Sequence, residues 1–266
     1  MPFTNNHGIR IHYETEGTGP PVLLQYGQYF PLDIWYELGY VRALQNDCQL
    51  ILVDARGRGD SDKPYEPTAY RIELMVNDII SVLDDLGMEK AHYLGYSSGA
   101  YLGFAIAKFA QARCYSLILG GTHPYPASDD GSWHAEQIKN LEKQTTADFV
   151  AGVEGLLSSL DFPPLSPRMR TGLLKHDLRA LIAWHQAVPD FPAFDDILGS
   201  ISVPCLLYAG ENTGEYSGAR RAAQEIPGAA FVGIPNGGHL EGGTWIDILR
   251  PHILQSVSST SLPHVS

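Results

Sequence analysis

The sequence predicts an α/β fold: a mostly parallel sheet with helices on both faces, interrupted by one all-helical insertion. Three observations predict it. Short, nearly continuous apolar strands alternate with apolar-striped helices through residues 1–122 and again from residue 201. Strands of that kind are buried on two sides and need helices over both faces of the sheet. Between these stretches, over 123–200, the alternation stops and only helical patterns remain, punctuated by Pro163-Pro164, Pro167, Pro189 and Pro192. The chain of 266 residues is 44% hydrophobic and 18% charged, enough to bury the core of one large domain with an insertion.

Each element has its own signal. Ile9 to Thr15 alternates apolar and polar residues, the pattern of a half-exposed antiparallel strand at the sheet edge. After the turn Gly17–Pro21, Val22-Leu23-Leu24 reads as a buried strand that ends at Tyr26-Gly27-Gln28. Trp35, Leu38, Val41 and Leu44 share one face of a helix expected over Leu32–Leu44. A strand at Leu50–Val53 leads into Asp54-Ala55-Arg56-Gly57-Arg58-Gly59-Asp60-Ser61. Tyr70–Leu86 carries a single apolar stripe and ends at Gly87, a natural helix stop. Ala91, Tyr93 and Leu94 form the next strand, and the helix after it is apolar almost all round from Tyr101 to Phe109. A buried strand at Tyr115–Leu119 precedes the insertion, whose helices are expected near Ser132–Gln144, Ala147–Leu160, Pro167–His176 and Leu178–Ala187. The sheet resumes with Val203–Ala209, a helix at Gly218–Ile226, a strand at Ala230–Ile234 and a final helix after His239, and the Ser-rich tail beyond Ser256 is expected to fray.

Composition narrows the function. With 18 Lys and Arg against 30 Asp and Glu, the net charge is −12 and no cationic cluster stands out. A phosphate backbone and an anionic membrane are both poor partners for such a surface. The polar start of the chain and the lack of a long apolar run point to a cytoplasmic protein. Cys48, Cys114 and Cys205 are odd in number, lack metal-type spacing and are expected to be buried thiols. No metal cluster and no nucleotide-type glycine loop is apparent, so no cofactor is expected.

The stretch Gly95-Tyr96-Ser97-Ser98-Gly99 carries the chemistry. It joins a buried strand to a buried helix, which is the context a Gly-x-Ser-x-Gly turn requires. Ser97 is expected to adopt a strained backbone that lifts its hydroxyl clear of the sheet, with Gly95 and Gly99 lacking the Cβ atoms that would clash on either side. The helix that follows aims its first amides, Ser98 N–H among them, at an anion formed beside Ser97.

With this turn in view, the chain resembles the α/β-hydrolase superfamily, in its capped esterase and lactonase-like branch. Three blocks carry the resemblance: Asp54–Pro64, the turn around Ser97, and Gly237-Gly238-His239-Leu240-Glu241. It implies a core of 1–122 and 201–266 with a helical cap, 123–200, inserted after the sixth strand. It further implies Ser97 as nucleophile, His239 as general base, and an oxyanion hole from the Gln28 and Ser98 amides. The family's usual His-Gly is here Tyr26-Gly27, which alters the pocket wall. Tyr26, Tyr29, Tyr96, His123, Tyr125, Trp133 and Trp184 are expected to face substrate. The loop with Arg56 and Arg58 is expected to brace the sheet edge.

The third member of the triad is open. Where the family places an aspartate after the strand ending at Ala209, this chain reads Gly210-Glu211-Asn212-Thr213. Glu215, two residues further on, is the expected acid; Glu211, or a Ser–His pair supported only by Asn212 or Thr213, are the alternatives. The function implied is hydrolysis of a small carboxylic ester or lactone through an acyl-enzyme on Ser97. A carbon–carbon bond hydrolase on the same pair and a slow-turnover ligand-binding or signalling protein are its rivals.

Overall fold

The computed structural model describes residues 2–126, 131–240 and 245–258. Eight strands form one sheet in the order β1-β2-β4-β3-β5-β6-β7-β8. They are β1 (Phe3–Asn6), β2 (Ile9–Glu16), β3 (Pro21–Gln25), β4 (Gln49–Val53), β5 (Ala91–Tyr96), β6 (Cys114–Gly120), β7 (Cys205–Gly210) and β8 (Ala230–Ile234). The first two are antiparallel, β1 to β2 and β2 to β4; every other pairing is parallel. All six residues of β5 and of β7 are buried, as strands flanked on both faces must be.

Among the described residues ten α-helices accompany the sheet: α1 (Ile34–Glu37), α2 (Tyr40–Leu44), α3 (Ile72–Asp85), α4 (Ser98–Phe109), α5 (Ser132–Leu141), α6 (Thr146–Ser159), α7 (Pro167–Leu174), α8 (Leu178–Ala187), α9 (Tyr216–Glu225) and α10 (Ile246–Ser258). Alternate residues of each strand feed two cores. Leu23, Ile51 and Tyr93 pack with Ile79, Phe104 and Ala222, from α3, α4 and α9. Leu24, Leu52 and Leu94 pack with Trp35, Leu44 and Ile253, from α1, α2 and α10. The period-two alternation of a strand splits its side chains between two helix layers.

Four helices, α5 to α8, separate β6 from β7, where the sequence pattern loses its strands. Two expectations need correction. The single helix expected over Leu32–Leu44 is two short ones, because Gly39 takes φ 78° between them and ends the first turn in the left-handed region. The strand β1 went unread because its stabilisation is polar: Thr4 donates to Ser81 O at 3.0 Å, and the Asn6 amide to Asp78 Oδ1 at 2.7 Å. Within the tail expected to fray, Val257 and Ser258 still belong to α10, whereas 259–266, and Glu241 of the late block, lie outside the described residues. Among the described residues all three cysteines are free and buried, and no helix is long and apolar enough to cross a membrane.

Candidate active site

Ser97 stands at the junction of β5 and α4 with φ 55° and ψ −123°, a conformation that a side chain adopts only where its surroundings enforce it. The enforcement is visible. Ser97 N–H donates to Gly120 O at the end of β6 (2.8 Å), and Tyr101 N–H donates to Ser97 O (2.9 Å). A Cβ on Gly95 would lie 2.5 Å from Gly99 O, and one on Gly99 only 2.1 Å from Gln25 O. Both contacts are to backbone that cannot retreat, so the two glycines are required by space.

His239 reaches this serine from the loop after β8, its Nε2 3.1 Å from Ser97 Oγ. Its other ring nitrogen, Nδ1, faces Glu215 Oε2 at 3.8 Å. That is ion-pair range but beyond a hydrogen bond, and among the described residues the buried Nδ1 finds no hydrogen-bond partner. Interaction with His239 still holds the Glu215 carboxyl below the ordinary glutamate range, against the desolvation of its half-buried position.

The competing positions point elsewhere. The Thr213 hydroxyl donates to Gly210 O at 2.8 Å, while Glu211 and Asn212 are exposed. Asn212 contributes through its backbone, donating to Gly237 O at 3.0 Å and so tying the loop of Glu215 to that of His239.

The amides expected to bind an oxyanion flank the serine. Ser98 opens α4, so its N–H is one of the helix's four open donors. Gly27 packs directly on the nucleophile: a Cβ there would sit 3.0 Å from Ser97 Cβ and 3.3 Å from its Oγ. The next residue, Gln28, is held by Arg58, whose Nε donates to the Gln28 carbonyl. Arg58 is buried, stacks over Trp184 and has its pKa pushed down to about 10 by desolvation. Arg56 instead grips Asp78 with two bonds of 2.6 Å. The loop thus braces the fold through Arg56 and holds the Gln28 segment through Arg58, a contact that pattern alone did not assign.

The aromatic residues expected at the substrate divide by position. Tyr26 lines a cavity of about 410 Å³. Tyr96 is buried, with its hydroxyl committed to His239 O at 2.6 Å. The Tyr29 hydroxyl meets His185 Nε2 at 2.9 Å, and His185 Nδ1 meets His134 Nδ1 at 3.0 Å, a polar chain from the oxyanion segment into α8 and α5. Trp184 is buried beside Arg58, whereas Trp133 is 46% exposed. His123 packs on Tyr125 and against Gly218, and Tyr125 lies under Arg221 of α9. Phe30, expected with Tyr26 in the pocket wall, lines the same cavity, whereas its other apolar walls, among them Leu38, Leu157, Phe162 and Leu240, were missed by sequence. The run Phe162-Pro163-Pro164-Leu165 was their one signal, an apolar loop with no strand or helix to bury it. Ser97 and His239 do not line this cavity, but Tyr26 and Leu240 are each one residue from the machinery, beside Gly27 and His239.

A metal finds poor accommodation. His12, Asp54 and Asp60 bring ligand atoms within 4.8 Å of one another. The Asp54 carboxylate, however, already meets Leu32 N–H (2.7 Å), Asp60 N–H (3.0 Å) and His12 Nδ1 (2.7 Å), which makes it a buried brace.

Several known proteins are similar to this chain. A putative carbamate hydrolase of Azorhizobium caulinodans is 26% identical over 96% of this chain and 97% of its own length. Epoxide hydrolase 3 of Siraitia grosvenorii is 36% identical, but only over 43% of this chain and 36% of that enzyme, so the chain spans about a third of the length of such relatives. The solved structure of a thermophilic esterase from Thermogutta terrifontis superposes with a TM-score of 0.81 over 98% of this chain and 97% of its own, at 24% identity. Residues 20–152, from β3 through the turn at Ser97 and into α6, match the family described as the alpha/beta hydrolase fold. The strand order, the strained serine after β5 and that match together identify the chain as a member of the α/β-hydrolase fold family.

Proposed function

We propose that the chain hydrolyses a small carboxylic ester or lactone through a covalent acyl-enzyme on Ser97, with a mechanism built from its own side chains and amides. The observation that carries this reading is the 3.1 Å approach of His239 Nε2 to the hydroxyl of a serine held at positive φ.

His239 removes the hydroxyl proton as Ser97 Oγ attacks the carbonyl carbon, and the carbonyl π pair moves onto oxygen. The Gln28 and Ser98 amides receive that oxyanion. The pair then returns to re-form the carbonyl, the carbon–oxygen bond to the leaving group breaks, and His239 hands the proton to the departing alkoxide. Water repeats the sequence on the acyl-enzyme, giving the acid and free Ser97. Glu215 keeps the imidazole in the tautomer with its proton on Nδ1 and opposes the charge that forms on the ring.

The cavity of about 410 Å³, within the range of small-ligand sites, accepts the apolar arm of the substrate along Tyr26, Phe30 and Leu240. The helical segment 123–200 acts as a cap, contributing Leu157, Phe162 and Leu165 to this wall.

Replacing Ser97 with Ala tests the reading, using p-nitrophenyl acetate turnover and labelling by a fluorophosphonate. Turnover is expected to fall by several powers of ten, and labelling to vanish in a protein that still unfolds cooperatively. Turnover retained in folded S97A overturns the mechanism, and a wild-type protein that neither labels nor turns over ester is a binder.

A further inference from the structure

Between the nucleophile and its base stands one side chain the mechanism has not used. Tyr96 precedes Ser97 at the end of β5, yet its hydroxyl crosses to the loop after β8 and donates to the backbone carbonyl of His239 at 2.6 Å. The ring is clamped on all sides: stacked on Tyr26 (centroids 5.1 Å apart) and Tyr208 (6.0 Å), edge-on to Trp245 (6.2 Å) and against the His239 imidazole (5.5 Å). Gly121 leaves room for it, since a Cβ there would lie 2.8 Å from the Tyr96 ring. Only 2% of Tyr96 is exposed, so the direction of its hydroxyl is set by packing.

From this geometry we propose that Tyr96 is the positioning residue that fixes the His239 imidazole against Ser97. The need for one follows from the rest of the site. A histidine base in this kind of arrangement is normally oriented by an acceptor at Nδ1. Here, among the described residues, Nδ1 has only Glu215 at 3.8 Å, and both side chains are about a third exposed. A ring held so loosely from its far side can swing away from the serine unless its backbone is held. Tyr96 holds it at the carbonyl, and because Tyr96 ends β5 and Ser97 is the next residue, the bond ties base to nucleophile over the shortest covalent route. The bond is unmade if the loop of His239 shifts by one ångström, so it selects the loop position in which Nε2 meets Oγ.

This inference rests on the Ser97–His239 reading above, and the experiment separates the two. Y96F keeps the ring and its stacking and removes only the hydroxyl. Steady-state ester hydrolysis is expected to show kcat reduced about tenfold, the scale of one hydrogen bond plus a carbonyl left unsatisfied, with KM unchanged. Y208F is the control, because Tyr208 lies in the same stack and, unlike Tyr96, its buried hydroxyl is not bonded to the His239 carbonyl. It is expected to leave kcat unchanged. In the pair with E215Q the losses should exceed the product of the single losses, since each residue restrains the same ring. Equal kcat for Y96F and wild type, or losses that simply multiply with those of E215Q, overturns the positioning role while S97A remains dead. If S97A stays active, the failure lies in the reading of the mechanism.

Discussion

Replacing Glu215 with Gln removes the carboxylate that faces His239 Nδ1 while preserving its shape. The charges that matter are those of the transition state, when His239 has taken the Ser97 proton and its ring is cationic. At the observed 3.8 Å, a unit pair is worth about 1 kcal/mol at the dielectric constant of water and about 4 kcal/mol at an effective value of 20. Because both side chains are about a third exposed, solvent screens the pair and the lower half of that range applies. A figure of about 2 kcal/mol corresponds to a loss of roughly thirtyfold in kcat. Since the neutral ground-state ring gains little from the charge, KM should hold. The assay is p-nitrophenyl ester hydrolysis at pH 8 and low salt, repeated at 1 M salt, where wild type should lose part of its advantage over E215Q. An E215Q enzyme within twofold of wild type in kcat refutes the reasoning and leaves Ser97 and His239 working without an acid.

The remaining predictions concern the loop under the serine and the buried histidines. G27A places a Cβ 3.0 Å from Ser97 Cβ, which displaces the nucleophile by a few tenths of an ångström; kcat/KM should drop about tenfold while the melting temperature stays within a few degrees, and the reverse ranking would show Gly27 to be merely structural. Burial pushes His176 and His185 down to about 3 and His92 to about 4, so all three remain neutral when folded at pH values where the unfolded chain is protonated. The unfolded state then binds more protons, and stability should fall with decreasing pH from about 6.5 toward 4, each histidine supplying up to ~1.4 kcal/mol per pH unit. Urea unfolding at pH 7, 5.5 and 4.5 measures the slope, and H176F should flatten it.

The sheet and most helices could be read directly from the chain because burial on two faces writes itself as apolar runs, and amphipathic burial as stripes. Ala230–Ile234 and Leu178–Ala187 fall where the pattern puts them. The exceptions are elements held by something other than apolar burial. In β1 the inward groups are Thr4 and Asn6, tied to α3, and in the α1–α2 break the deciding feature is one backbone angle at Gly39. The site divides in the same way. Ser97 was legible because its turn needs two glycines at fixed offsets, and His239 because a glycine-rich loop follows the last strand. The contacts of Arg58 and Tyr96 were not legible, since both donate to carbonyl oxygens of residues distant in sequence, Gln28 and His239. A backbone acceptor has no side-chain signature, so nothing in the letters at 28 or 239 records what grips them. The vacancy at Thr213 was legible; that Glu215 turns toward Nδ1 depends on the start of α9, where no periodicity operates.

The peptide that ends β6 belongs to two devices at once. Gly120 offers its carbonyl to the Ser97 amide, and Gly121, whose own amide is pinned to Tyr208 O at 3.0 Å, begins the path into the helical segment. The root of the insertion and the anchor of the nucleophile are therefore a single residue apart. Exchange of the helical segment alone leaves the Ser97–Gly120 bond in place, but a splice even two residues earlier would cut the strand that keeps the serine in its strained pose. The junction at Gly121 is thus the first point along the chain where a graft spares the strand that the serine leans on.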